Sequence, residues 1–469
     1  MDSEKKLEFY GGEWMSFLPI VLFIILIVVT SFAWGSTSDG ACWVPAIISL
    51  MLPFFFAKDK KMYADTIIDG LASKDTAVPI ACWIFAGVFA RVLRESGFAD
   101  GLAGLAGKVG VNPLIFTVVT FLCAVLFSTA TGTGFGTIAM GMGVLYPAGV
   151  ALGVNPALLA GVVLSGAAFG DNMAPVSDTL ICSTTSVGAD LTKCVKSRFK
   201  YAITSGSLTL VAIIIFCLFL DKSSGTSVEV PTNNLALIMF VPMILTLVIA
   251  IKAGNIIVAT TIGTVVSVIT ALAFGLVDFI QIDAGDTAKS ALITVYGESV
   301  DRTVGGILYN GISGMVQVII LCLLLFAMIN IMKRGEGDKK LLESFSGIVK
   351  GPVSAEVVIS VLVLVLSALL SLTAPAILLV GPSFGKPYAE KYGISPCRMA
   401  NIMSGHSVTL AYCMPWTATM MLTLGFANSA GTPLSALEVT PMMFYAYISI
   451  IVLFATTFLK IGRNDGLDK

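Results

Sequence analysis

Two carboxylates, Asp171 and Asp178, lie inside an apolar segment that runs from about residue 156 to 187. A charge at the centre of a membrane helix costs about 2.5–3.5 kcal/mol on insertion scales, so two unpaired ones cost about 5–7 kcal/mol. A cation or a proton is the expected partner. Gly170 and Pro175 flank and interrupt the pair, and these are the residue types that break a helix. The segment therefore predicts a span that opens near the membrane midplane. Freed backbone carbonyls then join the two carboxylates and the hydroxyls of Ser177 and Thr179 as oxygen ligands for a hard cation such as Na⁺. The competing reading makes one aspartate a cap for a half-helix.

The rest of the chain suits such a span. It has 469 residues, of which 56% are hydrophobic and 12% charged, with mean hydropathy +0.93. That composition excludes an ordinary soluble domain and predicts an all-α polytopic membrane protein embedded in a lipid bilayer. A net charge of −1 speaks against nucleic acid as a partner. No phosphate-binding loop is present, so ATP-driven pumping is not expected, and no nucleophile–base pair or cofactor motif points to an enzyme. The nine cysteines form no Cys-x-x-Cys pair and read as small core residues.

Apolar segments fall at about 16–34, 41–57, 66–93, 113–127, 137–152, 156–187, 201–220, 232–251, 255–276, 306–332, 352–370, 376–392, 396–426 and 440–460. The first reads as a retained span rather than a signal peptide. Segments 113–127 and 137–152 are short, and the uncharged Ser128–Gly134 joins them. Segments 352–370 and 376–392 flank an equally uncharged Ser371–Pro375. Both pairs predict re-entrant hairpins whose tips, carrying Thr131, Thr133, Ser371 and Thr373, meet near the midplane; two pairs of short full spans are the alternative.

The chain also repeats itself. Sliding it by 240 residues aligns 147–179 with 387–419, and Pro147, Pro156 and Pro175 fall on Pro387, Pro396 and Pro415. Two copies are expected, 14–220 and 232–460, each with about five transmembrane helices and one hairpin. An odd number of spans inverts the second copy. The positive-inside rule agrees. With both termini cytoplasmic, Lys58, Lys60, Lys61, Lys193, Lys196, Arg198, Lys200, Lys333, Arg334, Lys339, Lys340, Lys386, Lys391, Lys460 and Arg463 fall inside, whereas the short outer loops hold only Lys222. Arg91, Arg94 and Glu95 read as snorkelling residues at the outer end of a span. Glu356 reads as interfacial, and 277–305 as a solvated outer connection.

The second copy has Ala411 and Ala418 where the first has Asp171 and Asp178. Its broken span offers neutral groups instead, among them Tyr412, Thr417 and the chain's lone histidine, His406. His406 is either a proton or substrate site, or a packing residue.

The stretch Phe169-Gly170-Asp171-Asn172-Met173-Ala174-Pro175-Val176-Ser177-Asp178-Thr179 resembles the signature of NhaC-type Na⁺/H⁺ antiporters, and Met414-Pro415-Trp416-Thr417 resembles that family's second-half Pro-Trp motif. The resemblance implies inverted repeats with re-entrant hairpins, homodimers and elevator-like movement in a cell membrane, with a bacterial inner membrane expected. It carries Asp171 and Asp178 over as Na⁺-site residues, beside Ser177 and Thr179. Asn172 departs from the pattern, since the family usually has lysine there. The expected function is Na⁺/H⁺ antiport, with Na⁺ and H⁺ as the only small partners required and no cofactor. A Na⁺- or H⁺-coupled carrier of an amino acid or small carboxylate stands beside it, with Asn172, His406 and Tyr412 touching the solute.

Overall fold

The computed structural model describes residues 6–34, 43–98, 101, 104–105, 112–132, 134–174, 177–219, 234–253, 256–282, 290–297, 302–337, 339–340, 344 and 348–465. The first part of the chain forms α1 (Leu18–Trp34), α2 (Trp43–Phe54), α3 (Lys60–Leu71) and α4 (Lys74–Glu95). A hairpin follows. Its first arm is α5 (Pro113–Thr131), and its return arm is α6 (Gly134–Met140), a π-helical turn (Gly141–Leu145) and α7 (Tyr146–Ala151). Next come α8 (Pro156–Met173), α9 (Asp178–Val187) and the long α10 (Leu191–Phe219).

After α11 (Phe240–Ala253) and α12 (Ile256–Ala273) the chain is not helical throughout. The expected solvated connection forms strands β1 (Asp278–Ile282), β2 (Ala291–Tyr296) and β3 (Thr303–Gly305), with β1 parallel and β3 antiparallel to the central β2. The all-α expectation misses this sheet. Its signal was the apolar run of β2, whose Ala291 and Leu292, on opposite faces, are both buried within a stretch otherwise rich in carboxylates.

Helices resume with α13 (Ile307–Ser313), α14 (Val316–Arg334) and α15 (Pro352–Leu370). The second hairpin's return arm is α16 (Thr373–Val380), a π-helical turn (Gly381–Gly385) and α17 (Lys386–Tyr392). The chain closes with α18 (Pro396–Cys413), α19 (Ala418–Ser429), the single turn α20 (Ala436–Val439) and α21 (Phe444–Phe458). Two expected spans are thus each two helices: 66–93 breaks between α3 and α4, and 306–332 between α13 and α14. Ser73 explains the first break, because its side chain accepts the Thr76 amide and caps α4. Among the described residues, Gly134–Ala151, Leu191–Phe219 and Pro352–Leu370 are long and apolar enough to cross a membrane as single helices.

Helix ends follow local chemistry. Asn155 caps α8 by accepting from the Ala157 and Leu158 amides, with Pro156 in the first turn. Ser395 caps α18 from the Cys397 amide, with Pro396 in the first turn. These helices start 240 residues apart, as do the two π-helical turns and the starts of α9 and α19.

The hairpins interlock with the broken helices. The first arm of each hairpin packs on the helix that follows it, α5 on α8 and α15 on α18. The return arms cross over, so that α6 lies on α19 and α16 on α9. Small side chains permit the crowding: Ser128, on the last turn of α5, donates to the Ala167 carbonyl of α8 at 2.7 Å.

Candidate functional site

The break between α8 and α9 places its polar groups inside the protein. The helix ends when Ala174 turns to an extended backbone, and α9 begins when Ser177 caps it by accepting the Thr179 amide. Asp171, three residues before the break, is buried. Ser177 Oγ donates to its Oδ1 at 2.7 Å, and Tyr412 Oη donates to its Oδ2 at 2.9 Å. Ser177 and Thr179 share a hydroxyl–hydroxyl bond of 2.6 Å. The carboxylate thus takes hydrogen bonds from both halves of the chain, from α18 as well as from its own break. Both of its oxygens are thereby fixed by hydroxyl donors.

Tyr412 reaches Asp171 only because the first hairpin yields space. A Cβ on Gly134, the first residue of α6, would lie 1.7 Å from the Tyr412 hydroxyl oxygen. Gly170 makes a similar close approach, since a Cβ there would lie 2.6 Å from the Val125 carbonyl oxygen of α5. The hairpin tip, the broken helix of the first half and α18 therefore meet at one place. Beside it, the buried Thr129 hydroxyl has no hydrogen-bond partner among the described residues.

Asn172 is buried next to Asp171. Its Nδ2 donates to Tyr445 Oη at 2.9 Å, while its Oδ1 has no hydrogen-bond partner among the described residues. Its backbone carbonyl accepts from Arg198 Nη1 at 2.9 Å. Arg198 was counted among the inside loop charges. The structure instead buries it in α10, at 3% exposure. The residue's place in the basic run 193–200 hid it, because a charge run at a span end ordinarily faces water.

The second half arranges its groups differently. Ser371 ends α15 with a left-handed backbone, φ 58°, and its Oγ accepts the Ala418 amide at 2.6 Å. The second hairpin tip thereby caps α19. Thr417 donates to the Met414 carbonyl at 2.8 Å, and Thr419 donates to the carbonyl of Ala411 at 2.7 Å. Trp416 Nε1 donates to the Ala368 carbonyl at 2.8 Å, which explains the Pro-Trp run as a clasp on the second hairpin. Thr373 stands at the start of α16, with no hydrogen bond to the Asp171 cluster among the described residues. His406 is fully buried with its ring 5.0 Å from Phe454, and neither ring nitrogen has a hydrogen-bond partner among the described residues. Of the expected residues, Asp171, Ser177, Thr179, Asn172 and Tyr412 come together. Thr133, Pro175 and Val176 lie outside the described residues, as do the side chains of Thr131 and Asp178.

Glu356, read as interfacial, is enclosed by protein. It is wholly buried, paired with Arg398 Nη2 at 2.9 Å and with Arg463 Nε at 3.5 Å. Arg398 also donates to Thr456 and Thr457 at 3.2 and 3.1 Å. No sequence signal marks this pairing, since the partners stand 42 residues apart or more. Arg91 pairs with Glu95 at 2.9 Å, and both Arg91 and Arg94 donate to the Ser429 carbonyl at the end of α19. These arginines tie α4 to the second half instead of reaching for solvent.

A family model described as the Na⁺/H⁺ antiporter family matches residues 13–218 and 221–461. The chain belongs to that family. It is 24% identical over 447 residues to the Na⁺/H⁺ antiporter NhaC of Alkalihalophilus pseudofirmus, spanning 90% of this chain and 92% of the relative. It is 26% identical over 206 residues to the malate-2H⁺/Na⁺-lactate antiporter of Bacillus subtilis, spanning 42% of each. Among solved structures, the Alcanivorax borkumensis YdaH transporter aligns over 96% of this chain and 98% of its own, at 13% identity and a TM-score of 0.40. As a member of the Na⁺/H⁺ antiporter family, the protein is a membrane transporter of the secondary, antiporting class, and the resemblance read from residues 169–179 and 414–417 holds over nearly the whole chain.

Proposed function

We propose that this protein exchanges Na⁺ for protons across a cell membrane, with Asp171 at the centre of the ion site. The observation that carries the reading is the Asp171 carboxylate at the break of α8, held between Ser177 of its own half and Tyr412 of the other. Asp171, Asp178 and the Ser177 and Thr179 hydroxyls supply hard oxygen ligands suited to Na⁺. One carboxylate releases a proton when Na⁺ binds and takes it back when Na⁺ leaves. The hairpin tips at Thr131 and Thr133 and at Ser371 and Thr373 close the site from either side. The two repeats, 14–220 and 232–460, are inverted copies, and the hairpins with α8, α9, α18 and α19 move as one elevator-like body against the remaining helices. Both termini lie in the cytoplasm of a bacterial cell, and the working unit is a homodimer.

The test uses proteoliposomes holding a pH-sensitive dye, with a Na⁺ gradient, clamped voltage and no organic solute. Prompt proton movement is expected, and Asp171→Asn or Asp178→Asn abolishes it. Full activity in both variants would remove the assignment. A second reading, a coupled carrier of a small carboxylate, is favoured by the malate-2H⁺/Na⁺-lactate antiporter among the relatives. In that reading Asn172, Tyr412, Thr417 and His406 contact the solute. Silence of well-folded protein without solute, followed by thermal stabilisation by a carboxylate, selects it.

A further inference from the structure

We infer that Arg198 is a fixed positive charge of the ion site, a positioning residue that sets how weakly the site holds Na⁺. The inference rests on the proposed ion site at Asp171. It starts from a contrast between two buried arginines. Arg398 has its own carboxylate, Glu356, at 2.9 Å. Arg198 is as deeply buried, yet every hydrogen bond it makes among the described residues goes to a neutral acceptor. These are the Asn172 carbonyl at 2.9 Å, Ser404 Oγ at 2.6 Å and Asn401 Oδ1 at 3.5 Å. An unanswered guanidinium in a dry interior is costly, and a protein retains one where a fixed anion lies in its field. The residue it grips immediately follows Asp171 in the chain.

The surroundings name few other charges. Helices α5, α8, α9, α18 and α21 pack against α10. Of these, α8 supplies Asp171, and α9 begins with Asp178. Tyr445 stands on α21. Tyr412, His406 and Arg398 belong to α18, Cys194 and Tyr201 to α10 itself, and α5 contains no charged side chain. Arg198 has no counterpart in the second half: the residue 240 positions on is Glu438, an exposed member of a capping box on α20.

The geometry explains what such a charge does. Arg198 bridges the last turn of α8 to the middle of α18, so it holds the two broken helices at a set distance. It also fixes the Asn172 backbone, while Tyr445 holds the Asn172 amide nitrogen. The buried Asn172 Oδ1 is left as an open acceptor beside Asp171, placed to join a cation's ligands. A site of two aspartates with no internal cation would bind Na⁺ tightly and release it slowly. A guanidinium one residue away opposes the incoming ion, so that binding is loose enough for release on the far side.

The experiment measures the apparent KM for Na⁺ in proteoliposomes at one fixed alkaline pH, together with Na⁺-dependent thermal stabilisation of the purified protein. Arg198→Gln lowers the KM about tenfold, the order of effect expected when a like charge beside a cation site is removed, and slows the maximal rate. Arg198→Lys stays within about threefold of wild type. A merely structural arginine gives the opposite split: KM unchanged or raised in folded Arg198→Gln, which overturns the inference. If Arg198→Gln does not fold, Arg198→Met decides by the same readout: a KM about tenfold lower supports the inference, and one unchanged or raised overturns it. Wild-type protein that moves no protons with Na⁺ overturns the Na⁺/H⁺ reading itself, a result distinct from a normal wild type with an unmoved variant.

Discussion

Gly134→Ala adds one methyl group to the first hairpin and tests whether that hairpin, α18 and Asp171 form a single site. The added Cβ would lie 1.7 Å from the Tyr412 hydroxyl oxygen and 2.5 Å from its Cζ. A tyrosine ring is rigid, so it cannot fold out of the way as a methionine would. Ordinary contact is restored by a retreat of about 1.5 Å, which stretches the 2.9 Å bond to Asp171 to roughly 4 Å, beyond hydrogen-bond range. Asp171 does not follow, because Ser177 holds its other oxygen. A hydrogen bond to a charged group contributes about 1.5–3 kcal/mol, so exchange should slow about ten- to hundredfold at 1.4 kcal/mol per decade. Overpacking costs a further ~1–3 kcal/mol of stability. The assay is Na⁺-driven proton movement in proteoliposomes, normalised to folded protein. Tyr412→Phe, which deletes the bond without adding bulk, should reproduce most of the kinetic loss. The pair should be non-additive: the double variant is little slower than Gly134→Ala alone. Wild-type kinetics in Gly134→Ala, or fully additive losses, would refute the claim that the glycine acts through Tyr412.

Two further predictions concern charges away from the site. Arg398→Met should destabilise the protein by about 3 kcal/mol, near the low end for breaking a buried pair, because Arg463 remains beside Glu356; Glu356→Leu with Arg398→Met should melt closer to wild type, and a double variant less stable than Arg398→Met would contradict this. At the start of the chain, Lys6 bonds Glu13 and Glu336 at 2.6 and 2.7 Å, and Lys339 bonds Glu336 at 2.7 Å. The hydrogen bonds from Lys339 and Lys6 hold the Glu336 carboxyl down to about 2, and those from Glu13 and Glu336 push Lys6 above the ordinary lysine value. A depressed carboxyl stabilises above the ordinary glutamate range and loses that effect as pH falls toward 2, whereas a raised lysine loses its effect only in strong alkali. The clip is therefore constant between about pH 5 and 9, and Glu336→Gln should leave the pH profile of exchange unchanged in shape. A profile displaced in that variant would make the clip a pH sensor.

Much of the membrane architecture could be read from residue order because its causes are local. Apolar length, Asn155 and Ser395 beside proline, and Ser177 as a cap each act within a few residues, and all are found where their chemistry predicts. The break at Met315 interrupts an apolar run without adding charge, so a hydropathy reading passes over it, whereas Lys74 and Asp75 mark the break at Ser73. The small sheet was missed because its single buried strand, β2, lies between acidic stretches that read as solvated.

The candidate site divides in the same way. Asp171, Ser177 and Thr179 are close in sequence, and the cost of burying a carboxylate marks them without any coordinates. The partners that complete the cluster come from elsewhere: Tyr412 is 241 residues from Asp171, and Tyr445 is 273 from Asn172. Arg198 and Arg398 carry the same lesson in reverse. Arg198 reads as an ordinary span-end cation, and folding put both arginines in the interior against acceptors on other helices. Residue order determined the helices, the 240-residue recurrence and the one half that bears the carboxylates, because each depends on spacing along the chain. Only tertiary structure decided which hydroxyls face Asp171 and which guanidinium holds the Asn172 carbonyl, because electrostatic and hydrogen-bond energies depend on distances through space that the crossing of the two hairpins sets.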